Sequence, residues 1–247
     1  MSKVSVCIAT YNGAAFIEQQ VKSILSQLGE NDEVIVSDDG STDTTLDIIS
    51  SFNDHRINIF HHKPNPNYCL PIIKNMNLAS NNFANAISIC SGDIIILSDQ
   101  DDIWIDNKVR VIKEVLENEC DLCLHNFSIV DQYNKLLISD FRKRSPLCNN
   151  YFKNCMALPF TGCCMAFNRS VKNILFPFSK YIVSHDQYIG LKALRHGFRV
   201  KYLDLPLIRR REHISNASLY RNPTLMEKIR YNYLLYKSIF KYNIIRK

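Results

Sequence analysis

The chain predicts an α/β fold built on a largely parallel sheet, and three observations carry that prediction. Apolar runs of strand length alternate with segments whose apolar residues recur at helical spacing. The runs "VSVCIA", "EVIVS" and "DIIIL" are nearly continuous in apolar residues, as buried strands are. Each is followed by a polar loop: Thr10 to Gly13, Ser37 to Asp43, and Ser98 to Asp102. In open α/β sheets ligands bind beyond the carboxyl ends of the strands, where these loops lie.

The elements follow in order. "VSVCIA" opens the sheet, and Phe16, Ile17, Val21, Ile24, Leu25 and Leu28 then mark a helix that Gly29 stops before the strand "EVIVS". "STDTTLDIISSF" is a helix entered through a Ser or Thr cap, "INIFH" a third strand, "NFANAISI" part of a further helix and "DIIIL" the fourth strand. "HKPNPNYCLPIIKNM", with prolines at 64, 66 and 71, is an irregular excursion. Val109, Ile112, Val115 and Leu116 mark the next helix, and "LCLHNFSIV" a further strand. Periodicity fades from Asp131 to Pro159. A helix over Gln187 to Arg195 and a late strand or extended pair at "VKYLDLPLI" complete the body.

Composition narrows the function classes. A length of 247 residues and 46% hydrophobic content suffice for a sizeable core. No uncharged apolar run reaches the roughly 20 residues of a membrane span, and "MSKVSVCIATYNG" lacks the features of a secretory signal, so a cytoplasmic location is expected. Nine cysteines, several inside apolar runs, read as reduced core residues, the Cys120/Cys123 pair and adjacent Cys163 and Cys164 included. The seven glycines form no GxG pair, which excludes a GxGxxG dinucleotide turn and the GxxxxGK[ST] phosphate loop. A phosphate must be held some other way, and a metal held by carboxylates is the obvious substitute.

Two acidic loops supply those carboxylates. If strand conformation persists through "SDQDD", Asp99 and Asp101 face one side and Gln100 the other. Like charges that close raise one another's pKa unless a cation intervenes, and Mg²⁺ or Mn²⁺ takes one or two carboxylates together with phosphate oxygens. A second reading also stands for each loop: Asp101, Asp102 and Asp106 can begin a helix, and "DDGSTD" can be a tight turn and cap around Gly40.

With those residues in view, the chain resembles the family 2 glycosyltransferases, inverting nucleotide-sugar enzymes of the GT-A fold. The resemblance rests on "SVCIATYNGAAFIEQQVKSILSQ", "IVSDDGSTDTT" and "IIILSDQDDIW", in the family's order, and the DQDDxW form is similar to the bacterial branch that includes rhamnosyltransferases of O-antigen and capsule synthesis. It is strong from Val4 to about Lys113 and weaker from Thr161 to Ala217. It implies a mixed, mostly parallel sheet flanked by helices, with a nucleotide-binding half over about 1–113, an acceptor-binding half over about 114–218 and a helical tail over 219–247.

The resemblance also implies roles. Ala9, Thr10 and Tyr11 lie along the nucleotide, and Asp39 meets a pyrimidine base. Asp99, Gln100, Asp101 and Asp102 serve the donor, with Asp101 ligating a divalent metal, Mn²⁺ or Mg²⁺. "SHDQYIGLKALRHG" matches the region of the general base, Asp186, beside His185. "LIRRREHISNAS" is similar to a "YRxHxxN" segment, with Arg211 closing on the diphosphate, His213 completing the metal shell and Asn216 in register; Arg210 stands where the branch carries Tyr. Trp104 and Gly162, with His185, border the acceptor pocket. Without the resemblance, Ser184 or Asp186 reads as a helix cap, and the arginines as a surface run.

From Leu219 to Lys247 seven Lys and Arg face one Glu, so the whole net charge of +6 sits in the tail. Leu225, Ile229, Tyr233, Tyr236, Phe240 and Ile244 recur at helical spacing, with Arg230, Lys237 and Lys241 on another side. This basic amphipathic helix either lies on the anionic inner face of a membrane, near an acceptor glycan on a polyprenyl diphosphate, or packs on the body. No nucleic-acid recognition motif accompanies it. The partners expected are a nucleotide-diphosphate sugar and that lipid-linked glycan. Two other classes compete with the transferase reading: a catalytically silent nucleotide-sugar-binding scaffold, and a phosphohydrolase, which the position of the DxD disfavours.

Overall fold

The computed structural model describes residues 2–63, 74–141, 147–148, 151–179, 182–213 and 224–240. Strands β1 (Val4–Thr10), β2 (Glu33–Asp38), β3 (Ile57–His61) and β4 (Ile94–Ser98) alternate with helices α1 (Ile17–Leu25), α2 (Thr45–Ser51) and α3 (Lys74–Ile89). Then come β5 (Ile103–Trp104), α4 (Lys108–Asn118), β6 (Leu122–Asp131), β7 (Leu136–Ile138), α5 (Tyr151–Ala157), β8 (Met165–Asn168), α6 (Arg169–Leu175), α7 (His185–Arg195), β9 (Val200–Glu212) and α8 (Leu225–Phe240). The sheet runs β3-β2-β1-β4-β8-β6-β9-β5, with β7 beside β6. β1 pairs in parallel with β2 and β4, β2 with β3, and β6 with β9; β8 is antiparallel to both β4 and β6.

Side-chain alternation splits the core between the two faces of this sheet. Val4, Val6, Ile8, Val34, Val36, Ile94 and Ile96 pack with α1, α2 and α4. Cys7, Ile35, Ile95 and Leu97 pack on the other face with Phe83, Ala86 and Ile87 of α3. Because both faces are covered, these strands read as unbroken apolar runs. The described cysteines are free, as the sequence reading expects.

The excursion at 64–73 and the segment from Ile214, Asn216 included, lie outside the described residues, and two local readings are decided by the fold. The "RRRE" run belongs to β9, where Arg209 to Glu212 pair with Ser128 to Asp131. The tail helix docks on the body through Leu235, Ser238 and Ile239, with Tyr231 and Tyr236 packed alongside, while Met226, Ile229 and Tyr233 stay exposed. Apolar and aromatic residues surround α8 on every side, so periodicity alone does not choose the buried face.

Candidate active site

The loops after β1, β2 and β4 meet at one edge of the sheet through side-chain and backbone hydrogen bonds. Gln100 bridges two of them: its Oε1 accepts from Tyr11 N at 2.9 Å and its Nε2 donates to Tyr11 O at 3.1 Å. Asp39 N donates to Thr10 O at 3.0 Å, which joins the third. A Cβ on Gly13 would fall 2.4 Å from Gln100 Oε1, so a side chain there would have to displace the Gln100 amide from Tyr11.

The two acids of the first cluster have different jobs. Asp38 is buried and saturated, accepting from Thr10 Oγ1, Gly40 N, Ser41 N and Ser41 Oγ at 2.6 to 2.9 Å. It shapes the turn, with Gly40 at φ +85°. Asp39 is not used in the turn: its largely buried carboxylate pairs with His62 Nδ1 at 2.6 Å. Burial pushes its carboxyl up, and the His62 hydrogen bond opposes that shift. The sequence reading does not single out His62; it sits just past β3, where its N–H extends the ladder to Asp38 O. Thr10 is buried with its hydroxyl committed to Asp38, Ala9 is half-buried, and the Tyr11 ring is open to solvent.

The second cluster departs from the strand expectation. β4 ends at Ser98 and the chain turns through Asp99 to Asp102, so alternation no longer decides direction. Asp99 and Asp102 draw together with Cys163, one ligand atom from each lying within 4.8 Å of the others. Asp101 turns instead to His213, Oδ2 to Nε2 at 2.9 Å. Burial, then the Asp101 charge, push Asp99 up to about 7, with Arg210 opposing and Asp186 adding to the rise. Burial, then the Asp101 and Asp99 charges, raise Asp102 well above the usual carboxylate range, with Arg210 opposing. Asp102 is 2% exposed, and among the described residues its buried Oδ2 has no hydrogen-bond partner. Lys108, absent from the sequence reading, is buried against the Trp104 ring at 4.2 Å and held near about 8 by burial.

Asp101 Oδ2 and His213 Nε2, 2.9 Å apart, are hydrogen-bonded to each other, and with Asp99 and Asp102 they are the side chains here that could hold a hard divalent cation. The unpartnered Asp102 oxygen and the raised carboxyls beside it mark a region whose negative charge is under-compensated by the protein alone.

Two expected contacts are placed elsewhere. Arg211 is 2% exposed and its guanidinium is spent on protein: Nε donates to Asp101 O at 3.0 Å, Nη1 to Gln132 O at 3.0 Å and Nη2 to Gln19 Oε1 at 2.7 Å. Its backbone N also donates to Asp102 Oδ1 at 3.2 Å. It ties β9 to the acidic loop and is not available to close on a diphosphate. Trp104, 3% exposed, packs inside the core and forms no open wall. Gly162 sits against His185: a Cβ there would lie 2.5 Å from His185 Nε2, a buried atom with no hydrogen-bond partner among the described residues. His185 stacks on Phe83 with ring centroids 4.2 Å apart.

Asp186 lies in the first turn of α7, where the helix N-terminus favours a negative charge. Ser184 occupies the N-cap position, yet its hydroxyl donates to Asp186 Oδ1 and makes no cap bond to the backbone. Gln187 N donates to the same oxygen at 2.7 Å. Among the described residues, Oδ2 accepts no hydrogen bond.

The chain that builds this edge matches known proteins over most of its length. The family model described as "Glycosyl transferase family 2" matches residues 5–175. The UDP-Glc:alpha-D-GlcNAc-diphosphoundecaprenol beta-1,3-glucosyltransferase WfaP of Escherichia coli is 31% identical over 220 residues, 88% of this chain and 80% of that protein. The dTDP-rhamnosyl transferase RfbG of Shigella flexneri is 37% identical over 106 residues, 42% of this chain and 34% of its own length. The crystal structure of S. aureus TarS 1-349 in complex with UDP-GlcNAc superposes with a TM-score of 0.68 at 17% identity, covering 95% of this chain and 66% of that one, and so shares the fold. With its mixed sheet of GT-A type and a family match running through β1, β2, β4 and their loops, the chain belongs to glycosyl transferase family 2.

Proposed function

We propose that the protein transfers a sugar, with inversion, from a nucleoside-diphosphate donor to a hydroxyl of a lipid-linked glycan during synthesis of a bacterial surface polysaccharide. The observation that carries this reading is the meeting of the Tyr11, Asp39 and Asp99–Asp102 loops at one edge, with Asp186 near enough to influence Asp99. The names of WfaP and RfbG support a UDP-hexose or dTDP-rhamnose as donor, and that of WfaP an acceptor on a polyprenyl diphosphate.

Asp39 accepts from the pyrimidine base, and the exposed Tyr11 ring lies along the nucleotide with the Ala9–Thr10 backbone. Asp101 and His213 hold the divalent cation, Mn²⁺ or Mg²⁺, with Asp99, Gln100 and Asp102 completing the donor side. When bound, that cation offsets charge on the departing diphosphate. The open Oδ2 of Asp186 takes the proton of the acceptor hydroxyl as that oxygen attacks the anomeric carbon from the face opposite the leaving group. Gly162 and His185 border the acceptor, and Arg211 holds the loop that bears Asp101.

No described helix is long and apolar enough to cross a membrane. The exposed Met226, Ile229 and Tyr233, with Arg230 beside them, support attachment of α8 to an anionic membrane surface near the acceptor.

The test is a panel of UDP-, dTDP- and GDP-sugars offered with Mn²⁺ or Mg²⁺ and a GlcNAc-diphosphate acceptor on a short lipid. Transfer of one sugar, loss of turnover in D101N and D186N, and donor-induced thermal stabilisation retained in D186N are expected. Absence of any nucleotide-dependent stabilisation across the panel overturns the reading.

A further inference from the structure

We propose that Asp99, Asp102 and Cys163 form a second cation site, one that takes a thiophilic divalent ion such as Zn²⁺ and inhibits transfer when filled. The inhibition rests on the reading of Asp99 and Asp102 as donor-side groups; the site itself does not.

The topology brings the three side chains together. β8 runs antiparallel to β4, with Ile96 opposite Ala166, so the loop leaving β4 and the tight turn Gly162–Cys164 that enters β8 lie at the same edge. One ligand atom from each of Asp99, Asp102 and Cys163 lies within 4.8 Å of the other two. The turn is held from behind: Lys108 Nζ donates to Cys163 O at 3.4 Å, and Cys164 N to Thr161 O at 3.2 Å. Cys163 and Asp102 are buried, which leaves part-exposed Asp99 as the side open to an entering ion.

Asp102 has one oxygen to spare. Its Oδ1 accepts from Arg211 N at 3.2 Å, while Oδ2 is buried with no hydrogen-bond partner among the described residues. A buried carboxylate oxygen left unpaired is costly unless a cation meets it. The sulfur decides which cation. Mg²⁺ takes oxygen ligands, whereas Zn²⁺ takes Cys sulfur at about 2.3 Å and carboxylate oxygen at about 2.0–2.2 Å. At those lengths tetrahedral ligands stand about 3.3–3.8 Å apart, so side-chain rotations that draw the group in by about 1 Å complete it. The Cys163 thiol gives its proton to solvent as the metal–sulfur bond forms, and water takes the fourth position. The Asp101–His213 pair is not part of this group and keeps the ion of the proposed reaction. Zn²⁺ between Asp99 and Asp102 withdraws both carboxylates from the donor.

The test is a Cd²⁺ titration of the full chain without donor, read by the ultraviolet charge-transfer absorption of a thiolate–metal bond. It is run in H213A, so that the neighbouring pair does not compete. H213A should show the band, and so should H213A/C148S, although Cys148 is the one described cysteine that is not buried. H213A/C163S should lose it. H213A/D102N should bind Cd²⁺ at least about tenfold more weakly, since even the outer partners of metal ligands are worth that much. Zn²⁺ should displace Cd²⁺, and excess Mg²⁺ should not. A band that survives in H213A/C163S, or that Mg²⁺ removes, overturns the site. Should H213A/C163S melt far below H213A, the D102N comparison decides alone, and an unchanged Cd²⁺ affinity there overturns the site. Inhibition is read in the otherwise wild-type chain as the rate with Mn²⁺ plus Zn²⁺ divided by the rate with Mn²⁺. Zn²⁺ should lower that ratio in wild type and not in C163S; equal inhibition of both overturns the inhibitory role. A chain that transfers no sugar from any donor refutes the proposed reaction, and the Cd²⁺ titration still decides the site.

Discussion

Arg211 Nε donates to the carbonyl oxygen of Asp101 at 3.0 Å, joining the end of the last strand to the acidic loop after β4. The same guanidinium reaches Gln132 and Gln19, so one side chain fixes the loop against both halves of the molecule. Lysine keeps the charge but offers no planar fork. R211K should lower turnover at least about tenfold, equivalent to about 1.4 kcal/mol, and R211M should destabilise the fold by about 1–3 kcal/mol for each buried acceptor left unpaired. Steady-state kinetics and urea unfolding check both.

The position of the cation is open to a direct measurement. Mn²⁺ should raise the melting temperature of the wild type, D101N and H213A should lose that rise, and C163S should keep it. If the rise disappears in C163S and survives in H213A, the ion sits in the group formed by Asp99, Asp102 and Cys163.

His62 braces the carboxylate expected to meet the base. Without it, burial acts on Asp39 unopposed, and H62F should weaken nucleotide binding, increasingly so as pH falls. D39N should cost about tenfold in affinity, or about 1.4 kcal/mol. Calorimetric titration with UDP and dTDP reads both effects.

Gly162 leaves room for the His185 ring. G162A must move the imidazole, since the new Cβ would stand 2.5 Å from Nε2. Overpacking of this kind costs about 1–3 kcal/mol, and a displaced His185 carries Asp186 with it. A lower melting temperature with a reduced kcat and an unchanged donor KM is expected.

Acid stability should depend on Glu33. Burial alone would raise its pKa, but hydrogen bonds from Lys3, Ser5 and Ser91 outweigh it and hold the group at about 2 in the fold, against 4.5 ordinarily. A depressed carboxyl stabilises above the unfolded pKa, and that contribution is lost as pH falls from about 4.5 to 2. E33Q should melt about 2–4 °C lower at pH 7, the shift expected from about 1 kcal/mol in a chain of this size. The difference should close near pH 2.

The first half of the fold is legible because each buried strand announces itself as a continuous apolar run and ends in a polar loop. The sites at those ends follow from the same pattern, as Asp39 and the Asp99–Asp102 loop illustrate. His62, Lys108 and Cys163 carry no such signal, since a histidine after a strand or a lysine at a helix start is ordinary until the fold brings its partners near. Arg211 misleads for the opposite reason: three arginines in a row resemble a solvated patch or a phosphate clamp, and only β9 pairing reveals that the third points inward. The tail helix shows the limit of periodicity, because a helix with apolar and aromatic residues on all sides has no unique buried face.

β8 is four residues long, yet it is the strand through which β4 and β6 are joined. Its partners lie about 70 positions upstream and about 40 upstream in the chain, so the seam closes late, after large loops have been drawn shut. A refolding trace should therefore contain a fast phase for the β1–β4 layer and a slower one that ends when Met165–Asn168 slot in. Until then the exposed rims of β4 and β6 are the surfaces through which two half-made molecules stick to each other.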